Sequence, residues 1–165
     1  MNSKIIAYTG VHGTGKTTAV YEAAAQYKKQ GYNVGIIFET ARKCPLPVLS
    51  LDCKKPSVHA QQWIFARQMQ EEIEAAMHHD IVISDRTIVD VIAYTRHFQY
   101  RSTAYAMESM ASQFSYKEVH FKMLHANDYC FDDGFRYTED LELRCNIERI
   151  MIGLYEKLMI PLIFE

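Results

Sequence analysis

The sequence predicts an α/β protein, a five-stranded parallel sheet with helices on both faces. Short apolar runs alternate with long helical stretches along the 165 residues, and no repeat, low-complexity tract or Gly/Ser linker interrupts them. Five of the runs read as strands with helices between them, which suits parallel strands covered on both sides. A glycine-rich segment, Gly10-Val11-His12-Gly13-Thr14-Gly15-Lys16-Thr17, joins the first run to the first helix.

Strands are expected over residues 4–9, 33–38, 81–84, 119–124 and 162–164. Helices are expected over 16–30, 57–78, 88–98, 103–114 and 138–159, with Gly31 ending the first in a left-handed conformation and Thr138 capping the last. Residues 40–56 hold three of the four prolines and no clear periodicity, so they form a surface loop near the ligand edge. The stretch 125–137 carries Asp128, Asp132, Asp133, Gly134 and Arg136 ahead of the last helix and reads as a movable lid.

A chain of this length fits a single domain, residues 1–165, with one substantial core. Apolar residues at 48% and charged ones at 23% exclude a disordered or fibrous protein. A net charge near −2 argues against gripping long duplex nucleic acid by charge alone. Met1-Asn2-Ser3-Lys4 runs straight into the first strand and no apolar run reaches membrane-spanning length, so a cytoplasmic protein without a membrane partner is expected. Cys44, Cys53, Cys130 and Cys145 lack a C-x-x-C pair, so reduced thiols are expected rather than a zinc site.

The segment from Gly10 to Thr17 fits G-x-x-x-x-G-K-[ST], between a strand and a helix as that motif requires. Its glycines let the loop wrap a phosphate with backbone N–H groups while the positive end of the helix faces the same anion. The donor-binding set is Gly10, His12, Gly13, Thr14, Gly15, Lys16, Thr17 and Thr18. Lys16 would reach the β and γ phosphates of ATP, and Thr17 would offer its hydroxyl to Mg²⁺.

Asp85 closes the run Ile81-Val82-Ile83-Ser84, at the end of a parallel strand where ligands bind. It is a second metal-site residue beside Thr17, with an N-cap for the next helix as the alternative. Arg86 would reach a phosphoryl group with its planar fork. Glu39 ends the second strand run, with Arg42 one turn on; Glu39 or Asp85 would accept the proton of an attacking hydroxyl. Arg136 on the lid would approach the transferring phosphate, while Arg144 is placed either beside the lid or in a pair with Asp140. In Gln61-Gln62-Trp63-Ile64-Phe65-Ala66-Arg67 a glutamine would read a planar base, whereas Trp63 and Phe65 serve as core.

With these residues in place, the chain resembles the phosphate-loop nucleoside and nucleotide kinases, including deoxynucleoside kinases and thymidylate kinase. The resemblance rests on the Gly10–Thr17 loop, Glu39 ending the second strand, the Asp85-Arg86 pair and an arginine-bearing lid. The lid motif Asp133-Gly134-Phe135-Arg136 is similar to that of the nicotinamide-ribonucleoside kinase domain and of small phage and bacterial ATPase-like proteins. Thr40 stands where the family often has proline, and the lid has one certain arginine where many members have several. The resemblance implies a three-layer phosphate-loop NTPase fold with strand order 2-3-1-4-5. It also implies a Mg²⁺-dependent ATP phosphotransferase acting on a nucleoside, nucleotide or similar small molecule, and it admits a homodimer. Two alternatives stay open: a kinase for a hydroxyl on nucleic acid, using a basic groove near Lys43, Lys54 and Lys55, or an ATPase switch that binds a partner.

Overall fold

The computed structural model describes residues 4–125 and 140–165. The strands β1 (Ile5–Thr9), β2 (Val34–Ile37), β3 (Ile81–Asp85), β4 (Glu118–Phe121) and β5 (Ile163–Phe164) form one sheet in the order β2-β3-β1-β4-β5. Every pairing is parallel. Order and strand number agree with the expectation. Around the sheet lie α1 (Lys16–Lys29), α2 (Val58–His78), α3 (Ile88–His97), α4 (Arg101–Ala111) and α5 (Leu141–Lys157).

The period of two along the strands sorts side chains between the faces. Ile6, Tyr8, Ile81 and Ile83 pack on Val20, Ala23 and Ala24 of α1. On the opposite face Ile5, Val82 and Ile37 meet Ala75 and Ala76 of α2, and Val119 and Phe121 join α3, α4 and α5 in the largest cluster. Among the described residues α1 covers one face, and α2 lies on the other together with the cluster of α3, α4 and α5. The same alternation matters at the strand ends: Tyr8 lies level with Asp85 on the α1 face, whereas Ser84 and Thr9 point toward α2 and α3.

Several boundaries move. The first helix ends at Lys29, and Gly31 is left-handed as expected (φ +92°), its N–H donating to Lys28 O at 3.0 Å. The helix expected over 103–114 starts at Arg101, because the Ala104 N–H bonds Tyr100 O at 2.9 Å. α5 begins at Leu141 with Asp140 as its cap, accepting the Leu143 N–H at 2.8 Å, and Thr138 lies outside the described residues. β4 stops at Phe121 rather than residue 124, where its neighbour β5 is only two residues long. The loop 40–56 opens with a 3₁₀ turn, Thr40–Lys43, and is not wholly superficial, since Val48 and Leu49 pack inward against the main cluster. Among the described residues no helix is long and apolar enough to cross a membrane.

Candidate active site

The loop after β1 depends on its glycines. Gly10, Gly13 and Gly15 have φ of +129°, +82° and +78°. A Cβ on Gly10 would also overlap the Lys122 carbonyl oxygen, so the loop lies directly on the end of β4. Gly15 is the N-cap of α1 and supplies no side-chain cap, which leaves first-turn N–H groups for a ligand. Lys16 is only 4% exposed, and its Nζ donates to Val11 O at 2.6 Å. Burial and then the nearby Arg86 guanidinium push its pKa down to about 7, against the pull of Asp85, Glu39 and Asp90. A buried ammonium in that condition gains from an anionic ligand. Thr14 donates to Val11 O at 3.1 Å, Thr18 is exposed on the first turn of α1, and His12 Nδ1 lies 3.2 Å from the Tyr94 hydroxyl.

Because Asp85 points to the α1 face, it meets Thr17, whose Oγ1 donates to Asp85 Oδ2 at 2.6 Å. The N-cap alternative for Asp85 fails, since Thr87 caps α3 by accepting the Val89 N–H at 3.1 Å. One carboxylate beside one hydroxyl at a phosphate loop fits Mg²⁺, which keeps several waters and relies on substrate phosphates for further ligands. Among the described residues, no group of three or more His, Cys, Asp or Glu side chains could hold a metal by itself.

On the other face Arg86 and Glu39 meet. Arg86 is left-handed (φ +84°), unusual outside glycine, and that turn sends its side chain sideways from the start of α3. Its Nε donates to Glu39 Oε1 at 2.9 Å and its Nη1 to Gly10 O at 3.2 Å, while the guanidinium lies 5.6 Å from the Tyr94 ring centre. Arg42 holds the second oxygen of Glu39 at 3.0 Å. Beside this cluster opens a largely apolar pocket, walled by Val48, Leu49, Ile64 and Val91 and adjoining His12 of the loop. Gln61, rather than the exposed Gln62, lines it. Phe65 is core as expected, and Trp63 packs against that core.

Sequence reasoning missed Asp90, Tyr94 and Gln68. Asp90 is 1% exposed; its Oδ1 accepts from the Thr9 and Tyr155 hydroxyls, and its Oδ2 lies 3.6 Å from Arg86 Nη1. Burial raises its pKa, opposed chiefly by Arg86. The signal was present: an acid inside the apolar run Ile88-Val89-Asp90-Val91-Ile92, four residues after an arginine, demands a buried partner. Gln68 carried no comparable signal, because a glutamine in a long helix is ordinarily exposed.

Arg136 and nearly all of the expected lid lie outside the described residues. Arg144 is buried at the start of α5, and it forms no side-chain pair with Asp140, whose Oδ1 accepts the Leu143 N–H at 2.8 Å as the helix cap. The supposed basic groove is offset by neighbours: Lys43 pairs with Glu71 at 2.7 Å and Lys55 sits over the Tyr100 ring.

The family model described as an AAA domain matches residues 5–165. No curated protein sequence matches the chain. Among solved structures the chain is similar to thymidylate kinase from Ehrlichia chaffeensis, with TM-score 0.67 and 17% identity over 100% of this chain and 89% of that one. It is similar to deoxyadenosine kinase from M. mycoides, solved with dCMP and dCDP, with TM-score 0.69 and 18% identity over 98% and 89%. It is also similar to NadR in complex with NR, with TM-score 0.77 and 17% identity over 98% of this chain and 45% of NadR, so it spans about half of that protein. At such identities the likeness is one of fold. Matched from residue 5 to residue 165, the chain belongs to the AAA-domain family, on the fold of the phosphate-loop nucleoside and nucleotide kinases.

Proposed function

We propose that the chain is a Mg²⁺-dependent ATP phosphotransferase that moves the γ-phosphoryl group to a nucleoside-like or nucleotide-like small molecule. One observation carries the reading: a walled apolar pocket opens between Glu39–Arg86 and Gln61 and shares His12 with the phosphate loop. A protein that only hydrolyses ATP or signals through its loops has no need of such a chamber, which gives the AAA-domain family likeness a more specific reading. Lys16 and the loop amides would hold the donor, and Thr17 and Asp85 would hold magnesium, which would neutralise phosphate charge. Glu39 or Asp85 would take the proton of the acceptor hydroxyl, and Arg86, joined by Arg136, would offset charge on the transferring group. Gln61 and Tyr94, both lining the pocket, would meet a planar base. The pairing of Lys43 with Glu71 weighs against a nucleic-acid acceptor.

The test is a coupled ADP-release assay with MgATP across nucleosides, nucleoside monophosphates, nicotinamide riboside and a 5′-hydroxyl oligonucleotide. A small-molecule acceptor should raise ADP release above the protein-alone rate. If none does, the reading fails; if only the oligonucleotide does, the acceptor class is wrong.

A further inference from the structure

We propose that Gln68 is a positioning residue that sets Glu39 and Arg86 against each other; its consequence for turnover rests on the phosphotransferase reading. Gln68 is 2% exposed and stands on α2 in the wall of the pocket, where its amide joins three pieces of chain. Its Oε1 accepts from Thr40 Oγ1, on the residue directly after Glu39. Its Nε2 is shared among Glu72 Oε1 at 3.0 Å, Ser84 Oγ at 3.3 Å and the Arg86 carbonyl at 3.4 Å. An amide can accept through its oxygen and donate through its nitrogen, so one side chain serves both sides.

Arg86 gives this arrangement its purpose. A left-handed non-glycine residue persists only where its surroundings hold it there, and the Arg86 carbonyl is held by Ser84 Oγ at 2.7 Å as well as by Gln68. That backbone turn is what aims the guanidinium at Glu39, 2.9 Å away. Gln68 therefore fixes the end of β2 through Thr40 and the turn after β3 through Arg86, and the carboxylate–guanidinium pair spans the gap between them. Its bonds go to the Thr40 hydroxyl and to the Arg86 carbonyl, the chain on either side of that pair.

Three variants test this. Gln68→Met keeps the volume and removes every hydrogen bond of the amide; Thr40→Val cuts its link to the end of β2, together with the longer Thr40 contacts to Glu71 Oε2 at 3.3 Å and Phe38 O at 3.5 Å, and Thr40→Ser restores them. With an acceptor that turns over, Gln68→Met should lower kcat by about tenfold or more while the KM for MgATP stays within about twofold, because misplacement of the reacting groups acts on kcat. Thr40→Val should follow with a smaller loss and Thr40→Ser should resemble wild type. A readout that needs no turnover is the solvent exchange of the Arg86 Nε–H by NMR, which should quicken in Gln68→Met and Thr40→Val. The Arg96 Nε–H, in the last turn of α3 and bound to Glu108 of α4 at 2.6 Å, should not change. Unchanged Arg86 exchange, or equal quickening at Arg96, overturns the proposal. Quickened Arg86 exchange in a protein that phosphorylates no acceptor supports the positioning and refutes the phosphotransferase reading alone.

Discussion

Glu72 should make this protein less stable as pH rises from about 4.5 to about 7, and replacing it by glutamine should remove that loss. The side chain is fully buried on α2; its Oε1 accepts from Gln68 Nε2 at 3.0 Å and its Oε2 from the Tyr116 hydroxyl at 2.8 Å. Burial pushes its pKa from 4.5 up to about 7, the Asp90 charge adding to the rise and the two side-chain hydrogen bonds opposing it. Below about pH 4.5 both folded and unfolded chains hold the proton, and the full stability is present. Between about 4.5 and 7 the unfolded chain releases a proton that the native chain keeps, so stability falls as pH rises and levels off above 7. At about 1.4 kcal/mol for each pH unit of that interval, the loss is about 3 kcal/mol. Glu72→Gln keeps the shape, accepts from Gln68 and donates to the Tyr116 oxygen, without titrating. Urea unfolding of both proteins from pH 4.5 to 8, followed by the single tryptophan, Trp63, reads the difference. The variant should gain on wild type by about 3 kcal/mol across the range. Tyr116 does not interfere, since burial and Glu72 hold its hydroxyl well above its ordinary value. A difference that does not move with pH, or that moves the other way, refutes the argument.

Gly10→Ala should destabilise the fold by at least about 2 kcal/mol in urea melts, because its φ of +129° and the Lys122 carbonyl both oppose a Cβ. Glu39→Gln should lower kcat by about 10²-fold to 10⁴-fold while MgATP binds as before, if Glu39 is the base. Asp85→Asn should lose about tenfold or more of the nucleotide affinity measured with magnesium and little of that measured without it. Loss of turnover in Asp85→Asn with magnesium-dependent affinity intact would instead make Asp85 the base.

The sheet and the donor loop were legible because both rest on local patterns: apolar runs of strand length, and a motif whose spacing carries its own physics. Helix ends were less so. Whether Arg101 or Thr103 starts a helix depends on which carbonyl is free, here Tyr100 O. Asp85 and Glu39 were legible as acids ending strands, but their partners were not, because the 2.9 Å contact between Arg86 and Glu39 joins residues 47 positions apart. Gln68 was invisible for the same reason. Its bonds to Thr40 and to the Arg86 carbonyl are properties of three packed elements, and a helix sequence read alone does not distinguish a buried glutamine from a solvated one.

The register of β2 on β3 decides which chemistry reaches which face of the sheet. Ile37 pairs with Ser84, so continuing the register sets Phe38 level with Asp85 and Glu39 level with Arg86. Phe38 accordingly meets Tyr21 of α1, with ring centres 5.7 Å apart, while Glu39 emerges on the side of α2 and the pocket. Asp85 is sent by the same alternation to Thr17 on α1. In the proposed reaction the metal-side carboxylate and the acceptor-side carboxylate thus stand on opposite faces of neighbouring strands, separated by the parity of one residue. A slip of one position in β2 would put Glu39 beside Tyr21 and leave Arg86 facing a phenyl ring, its buried guanidinium stripped of the 2.9 Å Glu39 partner and left with Asp90 at 3.6 Å and the Gly10 carbonyl. The Thr40–Gln68 bond opposes that slip from α2, so the residue that positions the pair also guards the register on which the division of the two faces depends.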